Sequence, residues 1–279
     1  YDDAYNKAVE MQEKSGATFI HPFNDENVIA GQGTIGLEIL DQIPDVDAVI
    51  VPVGGGGLIS GVAFAIKSLN PNVKVYGVQA SGAPSMVQSL HDHKMECLPS
   101  VSTIADGIAV KEPGNLTFDI CSKYVDEVVT VTDDEISTAI LALIEQQKLI
   151  AEGAGAVSVA AAMFNKVDVK GKKVVCLVSG GNIDVTILSR VINRGLLKAG
   201  RSADFTIELP DKPGQLQKVS SIIAGLGANV VAVHHDHAGE DADITACYLR
   251  ISVETRDHNH VETLKKELRK EGFQLREQL

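Results

Sequence analysis

Along the first two thirds of the chain, short runs of β-branched and apolar residues alternate with longer stretches in which apolar residues recur every three or four positions. Ala17–Ile20, Ala48–Val53, Val73–Val78, Glu127–Val131 and Val174–Val178 read as strands, and the segments between them hold the helices. Strands that are apolar throughout are buried on both faces, so this alternation predicts a parallel sheet with helices on either side. The pattern changes near Ala199–Gly200–Arg201–Ser202, a short polar stretch after the helical periodicity of Val185–Leu197. Beyond it the spacing predicts a strand at Phe205–Leu209, a helix at Gly214–Leu226 and strands at Asn229–His235 and Ile244–Val253. A helix at His258–Lys270 and a short strand at Phe273–Leu275 follow. The order βαββαβ is that of the ferredoxin-like split βαβ module. The expected division is therefore an α/β portion over residues 1–200 and a smaller α+β portion over 204–279.

Residues 48–66 carry no charge and are long enough to raise the question of a membrane span. They contain Pro52, Gly54–Gly57, Ser60 and Gly61, which read as strand, turn and helix. A hydrophobic content of 44% can build a core, and the formal net charge of −12 is shared by both portions. Neither portion has the basic excess that a nucleic-acid surface requires. Cys97, Cys121, Cys176 and Cys247 are widely spaced with no CxxC pair, which points to neither a zinc site nor a disulfide framework. A reduced, cytosolic compartment is expected. No signal peptide is visible, and the first residue is Tyr1, so the chain is expected to be part of a longer polypeptide.

Three segments carry candidate chemistry. The apolar run Val49–Val53 passes into Gly54–Gly57 and then into the helical Leu58–Ile66. Consecutive glycines allow several N–H groups to converge at a helix N-terminus, an arrangement that attracts a phosphate; close helix–sheet packing alone also calls for such a turn. No Gly-Lys-Ser/Thr follows, and the spacing is not GxGxxG, which disfavours a nucleoside triphosphate or a dinucleotide. The apolar Val174–Val178 likewise ends in Ser179-Gly-Gly-Asn182, where Ser179 is either a turn residue or a ligand group at the carboxyl end of a strand. Glu152 precedes a small-residue helix at Val157–Met163, where it is either a partner for the helix dipole or a cleft residue.

His234, His235 and His237 cluster with Asp236, but alternation along a strand sends His234 and Asp236 to one face and His235 and His237 to the other. At most a pair could share an ion, and no metal site is expected. His91 and His93 sit in a polar stretch and read as solvated. In the second portion, Asp211-Lys-Pro-Gly214 opens a helix; Gly214 permits close approach of a neighbour or a small ligand, and structural capping explains it equally.

Taken in order, His21-Pro-Phe23, Gly31-Gln-Gly-Thr34, Gly54–Gly57, Thr103–Gly107, Ala151–Gly155 and Ser179–Asn182 resemble the L-threonine ammonia-lyases (threonine dehydratases). These are pyridoxal-phosphate enzymes of the tryptophan synthase β-like fold, fold type II. Residues 204–279 resemble an ACT regulatory domain. The resemblance implies that Gly54, Gly55, Gly56, Gly57 and the amide of Leu58 hold the pyridoxal 5'-phosphate phosphate. It further implies that Gly107 lines the cofactor, that Ser179 bonds the pyridine nitrogen and that Glu152 lies near the ring. A neutral hydroxyl on that nitrogen leaves it unprotonated, so the ring withdraws electrons weakly and prompt loss of a β-hydroxyl is favoured. The activity implied is elimination from L-threonine, and possibly L-serine, to 2-oxobutanoate and ammonia, a step toward isoleucine. An amino-acid effector at the ACT domain and a homo-oligomer are implied too.

The family's cofactor lysine, in a Ser-x-Lys-x-Arg motif, has no counterpart in this sequence; Lys67, Lys111, Lys123 and Lys148 occupy ordinary positions. The sheet is thus expected to be incomplete at its N-terminal side, with no catalytic residue in these 279 residues and no turnover by the chain alone. The related serine racemases hold a divalent cation through acidic side chains where this chain has Gln79, Ala83 and Ser85, so none is expected there. Two rival readings are a non-catalytic amino-acid sensor with a degenerate lyase portion and a serine dehydratase or racemase.

Overall fold

The computed structural model describes residues 2–237 and 246–276, with side chains described for 4–236 and 247–276. The chain forms two compact units, Tyr1–Leu188 and Ser189–Leu279.

The first unit begins with the helices α1 (Asp2–Ser15) and α2 (Glu26–Gln42). Four parallel strands follow, β1 (Ala48–Pro52), β2 (Lys74–Ala80), β3 (Glu127–Val131) and β4 (Val174–Cys176), in the sheet order β3-β2-β1-β4. Between β1 and β2 runs α3 (Gly57–Leu69). Helices α4 (Ser85–His91) and α5 (Asn115–Tyr124) lie between β2 and β3, and α6 (Asp133–Ala142) and α7 (Gly153–Met163) precede β4. Every residue of β1 is buried, and β2 is exposed only at Lys74, as continuous apolar strands of a covered sheet should be. Helix α7 is buried from Gly153 to Ser158, and it packs so closely that a methyl on Gly153 would come within 2.6 Å of the Ile104 carbonyl oxygen. Its small residues let the helix lie directly on neighbouring backbone.

The expected strand at Ala17–Ile20 is not formed. Ile20 is 67% exposed, and no strand pairs with this segment, so β-branched composition has nothing to act upon. The last strand stops at Cys176, two residues short of Val178, although the Leu177 amide still donates to the Ile50 carbonyl at 3.0 Å. His91 closes α4 and meets the Asp92 carboxylate at 2.7 Å.

The second unit holds an antiparallel sheet of β5 (Ser202–Pro210), β6 (Asn229–His237), β7 (Ala246–Glu254) and β8 (Gln274–Arg276), ordered β6-β7-β5-β8. Two helices, α9 (Gln215–Gly225) and α10 (His258–Lys270), cover one face. Strand β5 alternates as one-sided sheets do, with Ala203, Phe205, Ile207 and Leu209 buried against Val219, Ile223, Leu264 and Leu268 of the helices. The βαββαβ order read from the sequence is the order observed. Ile244 of the expected third strand lies outside the described residues, as does the side chain of His237. Helix α8 (Val185–Lys198) carries the division between the units. No described helix is long and apolar enough to cross a membrane.

Candidate functional site

In the first sheet, β2 and β3 lie to one side of β1 and β4 lies to the other. Open parallel sheets bind ligands at such a reversal of strand order, beyond the carboxyl ends of the strands. The loop after β1 is Val53–Gly56 and the loop after β4 contains Ser179. A cavity of about 340 Å³ opens there, lined by Gly54–Leu58, Gly107, Glu152 and Ser179, together with Phe23, Val110 and Ala154. All the site residues expected from the sequence therefore face one space.

The glycine loop is held by its carbonyls. The Gly55 carbonyl accepts from Thr117 Oγ1 at 2.6 Å and from the Gly114 amide at 3.3 Å. Across a trans peptide the Gly56 N–H is directed opposite to that carbonyl, away from Thr117. Gly56 itself is the N-cap of α3 at φ 98°, a left-handed conformation that glycine adopts without strain. Among the described residues, the amides of Gly54–Leu58 meet no acceptor, and Gly55, Gly56 and Gly57 are buried. Buried N–H groups without partners at a helix N-terminus suit an anion, since unpaired they would cost roughly 1–3 kcal/mol each.

Opposite the loop, Glu152 is the N-cap of α7 and makes no side-chain capping bond. Its amide donates to the Gly180 carbonyl at 3.1 Å, which ties the start of α7 to the Ser179 loop. The Glu152 carboxylate lies beside Gly107, 3.7 Å from where a Cβ would stand, and it also fills the space that a Cβ on Gly180 would need. Gly107 belongs to a single helical turn, Asp106–Ile108. That turn is anchored by Thr103 Oγ1 donating to Asp133 at 2.6 Å and by the Ile104 amide donating to the same carboxylate at 3.3 Å. Ser179 is exposed.

The His21-Pro-Phe23 segment forms the wall over the glycines. A Cβ on Gly57 would come within 2.8 Å of Phe23 Cα, and one on Gly55 would run into the Phe23 ring. His21 shapes this turn: its Nδ1 accepts from the Asn24 amide at 2.9 Å and from the Phe23 amide at 3.3 Å. Burial holds the imidazole below its ordinary pKa, against the opposing pull of the Asp25 carboxylate. Sequence reasoning recognised this motif but gave Phe23 no role. It missed Thr117 and Val110 altogether, because they reach the loop from outside any glycine-rich signature. The buried Gln79 carboxamide spans Ser85 Oγ at 3.5 Å and the Val87 amide at 2.9 Å, so its polar ends are engaged within the protein. Among the described residues, no lysine lines the cavity.

This chain belongs to the pyridoxal-phosphate dependent enzymes, whose family profile matches residues 1–180, and it carries an ACT domain over residues 204–273. The buried amides fit the cofactor's phosphate, and the cavity is in the size range of small-molecule sites, about 300 Å³ and above. An L-threonine ammonia-lyase of Thermotoga maritima is 53% identical over 276 residues, covering 99% of this chain and 69% of that protein. One of Geobacter sulfurreducens is 46% identical over 273 residues, covering 98% and 68%. The solved processed form of threonine deaminase isoform 2 from Solanum lycopersicum superimposes with a TM-score of 0.65 at 43% identity, over 69% of this chain and 53% of that one. The chain thus spans about two thirds of the curated relatives and about half of the solved one.

Proposed function

We propose that the chain supplies most of an L-threonine ammonia-lyase. Residues 1–200 would be the lyase portion and 204–279 an ACT portion that binds an amino-acid effector. The observation that carries this reading is that Gly54–Leu58, whose amides meet no acceptor among the described residues, and Ser179 line one cavity at the strand-order reversal. When bound, pyridoxal phosphate supplies an electron-withdrawing ring that acidifies the Cα–H of an amino acid and allows its β-substituent to leave. The amides of Gly54–Leu58 hold the phosphate. Ser179 Oγ–H donates to the ring nitrogen and keeps it neutral, Gly107 lines the ring with backbone alone, and Glu152 stands near the ring with its carboxylate toward the cavity. L-threonine loses one water and takes one back, so the net products are 2-oxobutanoate and ammonia.

The lysine that anchors the cofactor is to come from outside these 279 residues. A cytoplasmic homo-oligomer completes the reading, the ACT portion being its regulatory part. The test has two arms. The 279-residue chain should release no ammonia from L-threonine, whereas a longer polypeptide containing it and a lysine within reach of the cavity should, and Ser179→Ala should lower that rate. Robust turnover by the chain alone sinks the lysine argument. In the second arm, pyridoxal phosphate should bind the chain far more tightly than pyridoxal; equal binding sinks the phosphate cradle.

A further inference from the structure

The second unit brings together three side chains of different chemistry from three separate elements. Asp211 is the first residue after β5, His235 lies on β6 and Cys247 lies on β7. Their ligand atoms, a carboxylate oxygen, an imidazole nitrogen and the thiol sulfur, lie within 4.8 Å of one another. All three line one cavity of about 360 Å³, shared with Gly214 and Leu216. The sheet register explains the meeting. Cys247 pairs with Leu209, two residues before Asp211, and His235 pairs with Leu249, two residues after Cys247. Paired residues and those two positions apart share a face, so His235 and Cys247 project to the same side of the sheet. Alternation within β6 alone counts only the histidines of that strand and cannot register ligands arriving from β7 and the β5 loop.

We infer that Asp211, His235 and Cys247 form a binding site for a borderline divalent cation of the zinc class. Oxygen, nitrogen and sulfur donors in one set match that class, whereas magnesium and calcium would take oxygens alone. In a tetrahedral zinc site the ligand atoms stand about 3.3–3.6 Å apart, as bond lengths near 2.0–2.3 Å require. The set therefore closes by roughly an ångström, within the reach of rotations of Asp211 and His235, both of which are exposed. Three protein ligands leave the fourth position to water. Cysteine ligates zinc as the thiolate, so binding releases the Cys247 proton.

The test is zinc titration of the 279-residue chain against a competing chelator, with Co²⁺ as the spectroscopic substitute. One ion per chain is expected, with a thiolate-to-cobalt charge-transfer band in the near ultraviolet. Cys247→Ala should abolish the band, and Cys97→Ser, at an exposed cysteine elsewhere, should leave it intact. Asp211→Asn and His235→Ala change exposed positions and should preserve the circular dichroism spectrum. Each should weaken zinc binding by more than the ~10–100-fold that loss of an outer partner costs. Absence of zinc binding, a band that survives Cys247→Ala or disappears in Cys97→Ser, or unchanged affinity in His235→Ala would overturn the assignment.

Discussion

Replacing Gly56 by alanine separates two costs that the glycine loop avoids. The residue sits at φ 98°, so alanine there meets the left-handed penalty of about 1–2 kcal/mol. Its new methyl would lie 2.8 Å from both Met86 Cε and Thr117 Cβ. Met86 can swing aside, but Thr117 is fully buried and its hydroxyl holds the Gly55 carbonyl at 2.6 Å, so relief of the clash loosens the loop itself. Overpacking of this kind costs roughly 1–3 kcal/mol, and together the two effects give about 2–5 kcal/mol. Two other glycines calibrate the estimate. Gly214→Ala has φ +90° but open space around the methyl, so only the backbone penalty applies. Gly31→Ala lies within α2, with nothing inside 4 Å, and should stabilise by about 0.5–1 kcal/mol. The chain has no tryptophan, so far-ultraviolet circular dichroism in urea is the natural readout, each variant followed on the transition of its own unit. If Gly56→Ala costs no more than Gly214→Ala, the crowding argument and the rigid loop it implies are both wrong.

Three further outcomes follow from the same reasoning. His21 is favoured in its neutral form by burial, so its contribution is complete above the ordinary histidine value near pH 6.5 and is lost as the pH falls through the lower folded value. The melting-temperature gap between the parent and His21→Gln should accordingly narrow from pH 8 to pH 5. Burial alone would raise Asp126, but Lys67 and Lys74, each at 2.7 Å, and the Val75 amide at 2.8 Å outweigh it and hold the carboxyl below its usual range. That stability is present above the unfolded carboxylate value, near 4, and disappears as the pH falls through the folded one. Asp126→Asn should thus cost about 1–2 kcal/mol at pH 7 and progressively less as the pH falls below 4, measured by urea midpoints. In the second unit, His260 is 4% exposed and joins the Arg256 amide at 3.1 Å to the Leu226 carbonyl at 3.0 Å. His260→Ala strands both groups and should lower that unit's unfolding free energy by about 2–5 kcal/mol; a loss below 0.5 kcal/mol would contradict the bonding described.

What could be read in the sequence was whatever a local rule controls. The buried strand Ala48–Pro52 announces itself because both its faces are covered, and the βαββαβ order because each element keeps its own period. Gly54–Gly57, Glu152 and Ser179 each have an ordinary structural explanation when read singly, and only the ordered set of family-like motifs singled them out together. Ala17–Ile20 misled because a strand exists only where another strand receives it, and that is a property of the tertiary fold. The same limit hid Thr117 and the role of Phe23, which act on the loop from distant sequence positions, and the grouping of His235 with Cys247 and Asp211, which the pairing of the strands and the loop after β5 create.

The strand pairing that sets the two halves of the candidate site in phase is short. Between β1 and β4 the pairing comprises Ala48 with Val174, Val49 with Val175 and Ile50 with Cys176. Sliding one strand by a single residue would carry Ser179 about 3.3 Å along the sheet and turn it to the opposite side. Lengthening or shortening the connections that wander between these strands leaves that phase untouched, whereas one residue added inside either strand destroys it. Over evolutionary time this fold should therefore accumulate its insertions in the excursions and almost none in this three-rung ladder.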